Sequence, residues 1–250
     1  MTTRVATANI LMTLPVATAT VALDQVLADE PDLVALQEWY LPRLAVLRRR
    51  GAVRLDPGFG LPSLPVGGSG AYAWVSTITD GNVVGWRTDR YELLDARTFL
   101  NVGPAPSERP DRFLRTEPPR FVATVVLRDR GTGRSVALLS YHLSAGVQAA
   151  GAYRPDRPHL AARHRHEVAH VEQEVARLEA AGHAVVVAGD SNFDGLRLAG
   201  LTSAWEGREK DPGTHGSRKI DDVFAQGRAT DVARIATASD HVAIVVARED

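Results

Sequence analysis

The chain has 250 residues, of which 44% are hydrophobic and 24% charged, a composition typical of globular proteins. Its formal net charge of -1 excludes a strongly basic nucleic-acid coat, so a polyanionic ligand must bind to a local basic patch. Cysteine is absent, which excludes disulfides, thiolate nucleophiles and zinc sites built on cysteine.

The beginning of the chain has no charged segment followed by an apolar core, as a secretory signal would have. No apolar run reaches the roughly 18 residues that a membrane span requires. We therefore expect one domain over residues 1–250, a cytoplasmic location, no membrane span and no obligate protein partner.

The first half of the chain combines a few helical patterns with many strand patterns. Residues 4–11 and 32–38 read as strands, and residues 16–29 and 42–50 as helices. Residues 56–70 are rich in Gly and Pro, which predicts a loop. The following strand patterns have almost no helix between them, which favours antiparallel pairing, and they cover residues 71–78, 82–87, 91–100, 121–128 and 135–143.

One long helix is predicted over residues 160–181. Val168, Val171, Val175 and Leu178 form its apolar stripe, and Gly182 is a stop signal. Further strands are predicted at 184–188, 220–225, 229–235 and 241–247. This order of elements indicates an α+β architecture in which two packed sheets are flanked by helices.

Polar side chains cluster at the ends of these predicted strands. The set comprises Asn9, Glu38, His142, Asp190, Asn192, Asp221 or Asp222, Asp240 and His241. Carboxylates with an amide suit a hard cation such as Mg²⁺, and two histidines can hold or transfer protons beside it. Phosphoester hydrolysis needs these groups, because a cation must neutralise the phosphate oxygens while a base orients water.

These residues lie in short motifs that resemble, in order and spacing, the endonuclease/exonuclease/phosphatase superfamily. The motifs are Thr7-Ala8-Asn9-Ile10, Leu36-Gln37-Glu38, Tyr141-His142-Leu143, Gly189-Asp190-Ser191-Asn192, Lys219-Ile220-Asp221 and Ser239-Asp240-His241. The resemblance spans residues 4–247. It implies a DNase I-like four-layer αββα sandwich, with two packed, mainly antiparallel sheets and the site at one edge. It also implies a Mg²⁺-dependent phosphoesterase, with Mn²⁺ as an alternative ion.

The resemblance also implies a role for each polar residue. Glu38 is expected to be the principal metal ligand, with Asn9 beside it and Asp240 nearby. Asp190 is expected to orient and activate water, and Asn192 to hold a phosphate oxygen.

Two histidines complete the implied site. His241, oriented by Asp221, is expected to contact the phosphate or move a proton, and His142 complements it on the opposite side. Because Asp222 follows Asp221 directly, the partner of His241 remains open between these two carboxylates.

Two departures narrow the resemblance. Tyr141-His142-Leu143-Ser144 stands where nucleases that cut abasic DNA carry Tyr-x-Pro-Asn, and it is similar to the DNase I, sphingomyelinase and tyrosyl-DNA phosphodiesterase branches. Trp205 and Thr214, which precede Lys219-Ile220-Asp221, also resemble these branches. Abasic-site repair is therefore disfavoured.

A competing motif is His166-Glu167-Val168-Ala169-His170, which matches the His-Glu-x-x-His pattern of zinc peptidases on a predicted helix. Its neighbours at 163–165 and 172–174 indicate a solvated, charged surface. No Glu follows about twenty residues later, where the nearest candidates are His183 and Asp190. A zinc peptidase remains the remote alternative.

The substrate prediction rests on positive charge in the middle of the chain. Residues 101–165 contain eleven arginines against five acidic residues, many of them in the long predicted loops 101–120 and 144–159. Nucleic acid is the leading substrate, with Arg120 and Arg163 as substrate-binding residues.

Three aromatic residues are candidates for stacking on bases, namely Tyr153, Phe113 and Trp74. A small-molecule, sugar or lipid phosphoesterase is the alternative, and an arginine-rich solvated surface without a binding role is the plain explanation of the charge.

Overall fold

Two β-sheets packed face to face form the centre of the molecule, for which the computed structural model describes residues 2–57, 63–78 and 80–249. The strands, in chain order, are β1 (Thr2–Asn9), β2 (Leu33–Gln37), β3 (Gly51–Asp56), β4 (Leu64–Gly67), β5 (Tyr72–Thr77), β6 (Val83–Arg87), β7 (Tyr91–Val102), β8 (Ala105–Pro106), β9 (Thr116–Glu117), β10 (Arg120–Asp129), β11 (Ser135–His142), β12 (Gln148–Ala149), β13 (Ala152–Tyr153), β14 (Ala184–Asp190), β15 (Thr202–Ser203), β16 (Asp221–Ala225), β17 (Ala229–Ile235) and β18 (Ala243–Glu249). The α-helices are α1 (Val16–Leu27), α2 (Leu44–Arg48) and α3 (Pro158–Ala180).

The first sheet has the strand order β17-β18-β1-β2-β6-β5-β3-β4, and the second β15-β16-β14-β11-β10-β7. Most neighbours are antiparallel, while β1 and β2, β3 and β5, and β11 and β14 pair in parallel. Two short hairpins, β8 with β9 and β12 with β13, stand apart from the sheets.

Three apolar clusters pack against the two sheets, one between them and one on each outer face. The inner faces meet in a core that includes Leu33 and Val84 from the first sheet and Val125 and Leu138 from the second. Helix α1 packs on the outer face of the first sheet, and α3 on the outer face of the second. The molecule therefore has the four layers of the expected αββα sandwich.

The long helix forms where the apolar stripe predicts it. Pro158 lies in its first turn, where the missing N–H costs nothing, and Val171, Val175 and Leu178 are buried against the second sheet. Gly182 follows with φ +85°, a conformation that ends a helix readily only at glycine. No helix in the described part of the chain combines the length and the apolar character needed to span a membrane.

One predicted loop is partly wrong. Residues 56–70 contain the last residue of β3 and all of β4, which pairs antiparallel with β3 at the edge of the first sheet. Pro65 is tolerated there because an edge strand needs only half of its backbone groups for pairing. Residues 58–62 of this predicted loop lie outside the described residues.

The topology brings the predicted strand ends to one edge of the sandwich. Asn9 pairs with Gln37 at the ends of β1 and β2, His142 pairs with Asp190 at the ends of β11 and β14, and Asp190 pairs with Asp221 at the start of β16. Polar residues far apart in the chain therefore converge, as the sequence predicts.

Candidate active site

The buried carboxylate of Asp190 lies at the centre of this edge, with 1% of its surface exposed. Its Oδ2 accepts a hydrogen bond of 2.9 Å from Asn9 Nδ2, and its Oδ1 accepts one of 2.8 Å from the backbone N–H of Asn192. Nε2 of His142 lies 3.5 Å from the same Oδ2, and Nε2 of His241 lies 3.9 Å from it. Strand ends from both sheets thus meet at one carboxylate.

The backbone of the site is sterically restricted at Gly189 and strained at Asn192 and Glu38. A Cβ at Gly189 would lie 2.0 Å from the carbonyl oxygen of Tyr141, so β14 approaches β11 this closely only with glycine. Asn192 and Glu38 have φ of +53° and +58°, in the left-handed region that strains residues with a Cβ. Such strain is typical of functional sites.

His241 is oriented by Asp221 and not by Asp222. Its Nδ1 lies 2.8 Å from Oδ2 of Asp221, which is fully buried. Asp222 instead accepts hydrogen bonds from the Ser203 hydroxyl and from the backbone N–H of Ala204. Successive residues of a strand point to opposite faces, and β16 therefore presents only the first of the two carboxylates to the site.

Trp205 and Thr214 fix the start of β16. Trp205 Nε1 donates to the carbonyl of Asp221 at 2.9 Å. The Thr214 hydroxyl oxygen accepts from the backbone N–H groups of Ile220 and Asp221 at 3.2 and 3.1 Å. Trp205 and Thr214, which precede the Lys219-Ile220-Asp221 motif, therefore position Asp221, the partner of His241.

The charges of the site shift its pKa values in different directions. Burial, together with the nearby charge of Asp221, raises the pKa of Asp190 to about 7. Burial lowers the pKa of His241, but its hydrogen bond to Asp221 and the charges of Asp221, Asp190 and Asp240 outweigh burial and raise it to about 9. Burial, then the positive charge of Arg120, holds the pKa of His142 well below its usual range.

The three predicted metal ligands have different hydrogen-bonding surroundings at this edge. Asn9 contacts Asp190, whereas the carboxylate of Glu38 accepts a hydrogen bond of 2.8 Å from the N–H of Met12. Asp240 is exposed, and its Oδ2 lies 3.6 Å from Nε2 of His215.

Within the described residues, two groups of acid and histidine atoms lie close enough to share an ion. They are His215 with Asp240 and His241, and Asp190 with Asp221 and His241. Asn9 Oδ1 adds a buried oxygen that has no hydrogen-bond partner in the described part of the chain. An unpaired amide oxygen beside several carboxylates fits a hard divalent cation.

Arg43 is a site-supporting residue that the sequence did not reveal. It is 3% exposed, and its guanidinium donates to the carbonyls of Ile10, Leu11, Leu14 and Glu38. It therefore ties the segment after β1 to the backbone of Glu38. In the sequence it is one of four arginines in the predicted helix 42–50, and only its apolar neighbours distinguish it from Arg48, Arg49 and Arg50.

His215 is the second residue that sequence reasoning missed. Its ring centroid lies 4.6 Å from that of His241, and its Nδ1 accepts a hydrogen bond of 3.0 Å from Arg218. It directly follows Thr214, a residue that carries the family resemblance, and this position is a usable sequence signal.

The two predicted substrate arginines differ in their surroundings. Arg120 is 5% exposed, and within the described residues its guanidinium forms neither a salt bridge nor a hydrogen bond. Its charge, with that of Arg112, acts on His142. It is therefore a buried cation facing the site.

Arg163 forms several structural contacts, and its role in substrate binding stays a prediction. Its guanidinium bonds to the Ser144 hydroxyl and to the carbonyls of Gly103 and Pro118, and it lies 3.1 Å from the Glu167 carboxylate. The residue is 8% exposed and ties both long loops to α3. These bonds use three of the five N–H groups of the guanidinium, so fewer remain for a substrate phosphate.

The His-Glu-x-x-His segment is not arranged as a zinc site. Glu167 is fully buried and accepts hydrogen bonds from the backbone N–H and hydroxyl of Ser144, at 2.7 and 2.6 Å. His166 is exposed, and Nδ1 of His170 lies 2.7 Å from the carbonyl oxygen of Asn101. The glutamate of the motif thus faces the interior, where it cannot activate a water on the two histidines.

The surroundings of this motif are also less solvated than predicted. His164 is fully buried, with Nε2 2.8 Å from the carbonyl oxygen of Ser191 and Nδ1 3.0 Å from the Tyr153 hydroxyl. The segment therefore supports the backbone that precedes Asn192. The predicted solvated surface is thus only partly correct, because His164 is buried whereas Arg165 and Gln173 are exposed.

The aromatic residues proposed for base stacking are separated in space. Trp74 is fully buried and stacks on Tyr72, so its predicted role is wrong. Tyr153 packs against Phe193 and beneath Arg165, whereas Phe113 is 84% exposed. The error about Trp74 arises because the apolar and aromatic pattern of β5 does not show which face of the strand is buried.

Comparison with known proteins agrees with this architecture. No protein-family model matches the sequence, and no curated protein sequence matches it. Among solved structures, D. rerio TDP2 complexed with single-strand DNA product is 17% identical, with 98% of each chain covered and a TM-score of 0.66. An endonuclease/exonuclease/phosphatase from Bacteroides vulgatus is 18% identical, with 100% of this chain and 99% of that chain covered and a TM-score of 0.66.

The chain has the endonuclease/exonuclease/phosphatase fold. The resemblance drawn from the sequence is therefore confirmed at the level of the fold. The mannosyl-6-phosphatase of Bacteroides thetaiotaomicron has the same fold, with 16% identity, 98% of each chain covered and a TM-score of 0.63.

Proposed function

We propose that this protein is a divalent-metal-dependent phosphoesterase that hydrolyses phosphodiester bonds of nucleic acid by means of an activated water. The observation that carries the proposal is the arrangement around Asp190, where Asn9, His142 and His241 surround one buried carboxylate. A base, two imidazoles and an amide at this spacing are the groups that water attack on phosphorus requires.

Asp190 acts as the general base in this proposal. Its pKa of about 7 lets it accept a proton from water near neutral pH, and its hydrogen bonds to Asn9 and to the Asn192 backbone fix its direction. Asn192 lies at the same turn and holds a phosphate oxygen.

His241 and His142 stabilise the charge of the reacting phosphate. His241 is kept protonated by Asp221, so it donates a charge-assisted hydrogen bond to a phosphate oxygen or a proton to the leaving oxygen. His142 remains neutral and contributes an N–H from the opposite side.

Glu38, Asn9 and Asp240 are the residues that would hold the cation, with Mg²⁺ or Mn²⁺ as the ion. The unpaired Asn9 Oδ1 supports this assignment, because a buried acceptor without a partner is costly unless a ligand occupies it. When bound, the ion neutralises the charge of the phosphate oxygens.

Nucleic acid is the proposed substrate because Arg120 is a buried cation that forms no salt bridge among the described residues, although its charge also acts on the buried carboxyl of Asp80. The charges of Arg120 and Arg112 both act on His142, so Arg112 adds a second positive charge near the site. D. rerio TDP2, which has the same fold, is complexed with single-strand DNA product. We expect cleavage to weaken steeply with salt, as phosphate binding by arginine does.

A sugar phosphate is the alternative substrate. The mannosyl-6-phosphatase with this fold supports it, and a buried arginine beside the site also suits a phosphate monoester. Insensitivity of the activity to salt, with no cleavage of DNA or RNA, favours this alternative.

The test is a panel of single- and double-stranded DNA, RNA, nucleotides and sugar phosphates, assayed with Mg²⁺, with Mn²⁺ and with chelator. Chelator should abolish turnover, and Asp190→Asn should lower it by about 10³-fold or more without lowering the melting temperature. Asp156→Asn, at an exposed carboxylate paired with Arg154, is the matched control. Full activity in chelator or in Asp190→Asn contradicts the proposal.

A further inference from the structure

A cleft of about 530 Å³ opens between the two sheets at the end of the sandwich opposite to the candidate active site. The first residues of β14 line it, whereas the last residue of that strand is Asp190. Six residues of extended chain separate the two ends of this strand by roughly 20 Å. The cleft is therefore distinct from the site described above.

Apolar side chains from both sheets form part of the cleft wall, and polar residues such as Thr3, Ser135 and Gln226 form the rest. Val5 of β1, Val136 of β11 and Val186 of β14 line it, together with Ala225 of β16. All four belong to, or pack against, the core between the sheets. The cleft is thus an accessible extension of that core, and its volume lies within the usual range for small-molecule sites.

Arg248 places a positive charge in this cleft. It is 4% exposed, and its Nη2 donates to the carbonyls of Ala225, Gln226 and Gly227 in the turn between β16 and β17. Its Nη1 is buried and has no hydrogen-bond partner in the part of the chain that the structure describes. Across the described residues no carboxylate forms a salt bridge with this guanidinium.

The charge of Asp222 acts on Arg248, but among the described residues the two form no salt bridge, and the Asp222 carboxylate is bonded to Ser203 and to the backbone N–H of Ala204. The charged residues that line the cleft are not paired with Arg248 either. Asp129 is bonded to Arg90 and to the backbone of its own turn, and Glu249 is exposed. Arg134, also exposed, adds a second positive charge to the lining. A buried cation with an unused N–H is costly, and an anion bound beside it would remove this cost.

We propose that the cleft binds a small organic anion with an apolar body, whose charged group pairs with Arg248 while the body lies against the valines of the two sheets. The cleft is far larger than an inorganic anion requires, and its walls offer apolar contact on both sides. Binding of such a ligand is independent of the catalytic function proposed above.

The probes that test this proposal are 4-phenylbutyrate, the neutral 4-phenylbutanol and acetate, followed by amide chemical shifts of the ¹⁵N-labelled protein. We expect saturable shifts at Val136, Val185 and Val186, and none at Asn192. 4-Phenylbutyrate should bind at least about tenfold more tightly than the alcohol or acetate, because only it supplies both the charge and the apolar body.

Two variants and their controls locate the binding. Arg248→Met removes the charge. Val136→Trp fills the cleft and leaves Arg248 in place, so it provides the test if the Arg248→Met protein is unstable. Each should weaken 4-phenylbutyrate at least about tenfold. The controls are Arg128→Met and Leu94→Trp, at exposed positions outside the cleft, which should bind as the unmodified protein does.

The proposal is overturned if the unmodified protein shows no saturable shifts at the cleft, or if the shifts lie at the active-site edge. It is also overturned if a folded Arg248→Met or Val136→Trp protein binds 4-phenylbutyrate unchanged.

Discussion

Replacement of Asp221 by Asn tests the pairing that orients His241. The change keeps the shape of the side chain and removes the negative charge 2.8 Å from the imidazole Nδ1. Both groups are buried, so water cannot replace the lost partner. A charge-assisted hydrogen bond of this kind contributes about 1.5–3 kcal/mol. If that energy is needed only in the transition state, kcat should fall about 10- to 150-fold.

The assay is the steady-state hydrolysis of a phosphodiester substrate, with kcat and KM measured separately. A loss confined to kcat is expected, because the imidazole that we propose to contact the phosphate remains present but is poorly oriented and less charged. In the metal-free protein, an NMR titration should show the pKa of His241 falling below about 9. Burial lowers this pKa, and in the variant the Asp221 charge that raises it is gone.

Asp222→Asn is the matched control, since Asp222 is adjacent in sequence but bonded to Ser203 on the other face of β16. It should retain kcat. An Asp221→Asn protein with unchanged kcat and an unchanged His241 pKa would refute the orienting role, even if the fold and the metal requirement held.

Three further predictions concern stability, measured by urea unfolding. Gly189→Ala should destabilise the protein by about 3 kcal/mol, because the added Cβ would lie 2.0 Å from a backbone oxygen, and an unchanged midpoint would contradict the close approach of the strands. Arg43→Met should cost about 3 kcal/mol, since four carbonyl groups lose their donor, and a loss within the error of the measurement would remove its supporting role. Asp222→Asn should gain stability relative to the unmodified protein as pH rises. Burial raises the pKa of Asp222 from 3.8 to about 7, so the folded carboxyl keeps its proton where the unfolded one loses it, and stability declines between pH 4 and 7. The difference should reach about 4 kcal/mol above pH 8, and parallel pH profiles of the two proteins would contradict the shift.

Much of the fold was predictable because the spacing of apolar residues and the residues that end helices and strands are local properties of a sequence. The stripe at Val171, Val175 and Leu178 with Gly182 after it predicts α3, and the apolar run 184–188 predicts β14. The errors lie where tertiary contacts decide. β4 forms only because β3 offers it a partner, and no local pattern marks it.

The roles of charged residues were less accessible. Arg120 and Arg163 look alike in the sequence, yet among the described residues the guanidinium of Arg120 forms no salt bridge or hydrogen bond, whereas that of Arg163 is bonded to both long loops. His166 and His170 match a metal motif, but Glu167 between them turns to the interior. A motif fixes spacing along the chain, whereas the direction of each side chain depends on what packs against it.

The sequence by itself determined the types of group at the strand ends and the order in which they occur, because these follow from residue identity and from the lengths of the apolar runs. Only the tertiary structure decided which groups meet. Asn9 and Asp190 are 181 residues apart in the chain and are joined by one hydrogen bond, and the choice of Asp221 over Asp222 depends on which face β16 presents. The physical reason is that strand pairing across two sheets sets register and side-chain direction together, and neither is encoded within a single segment.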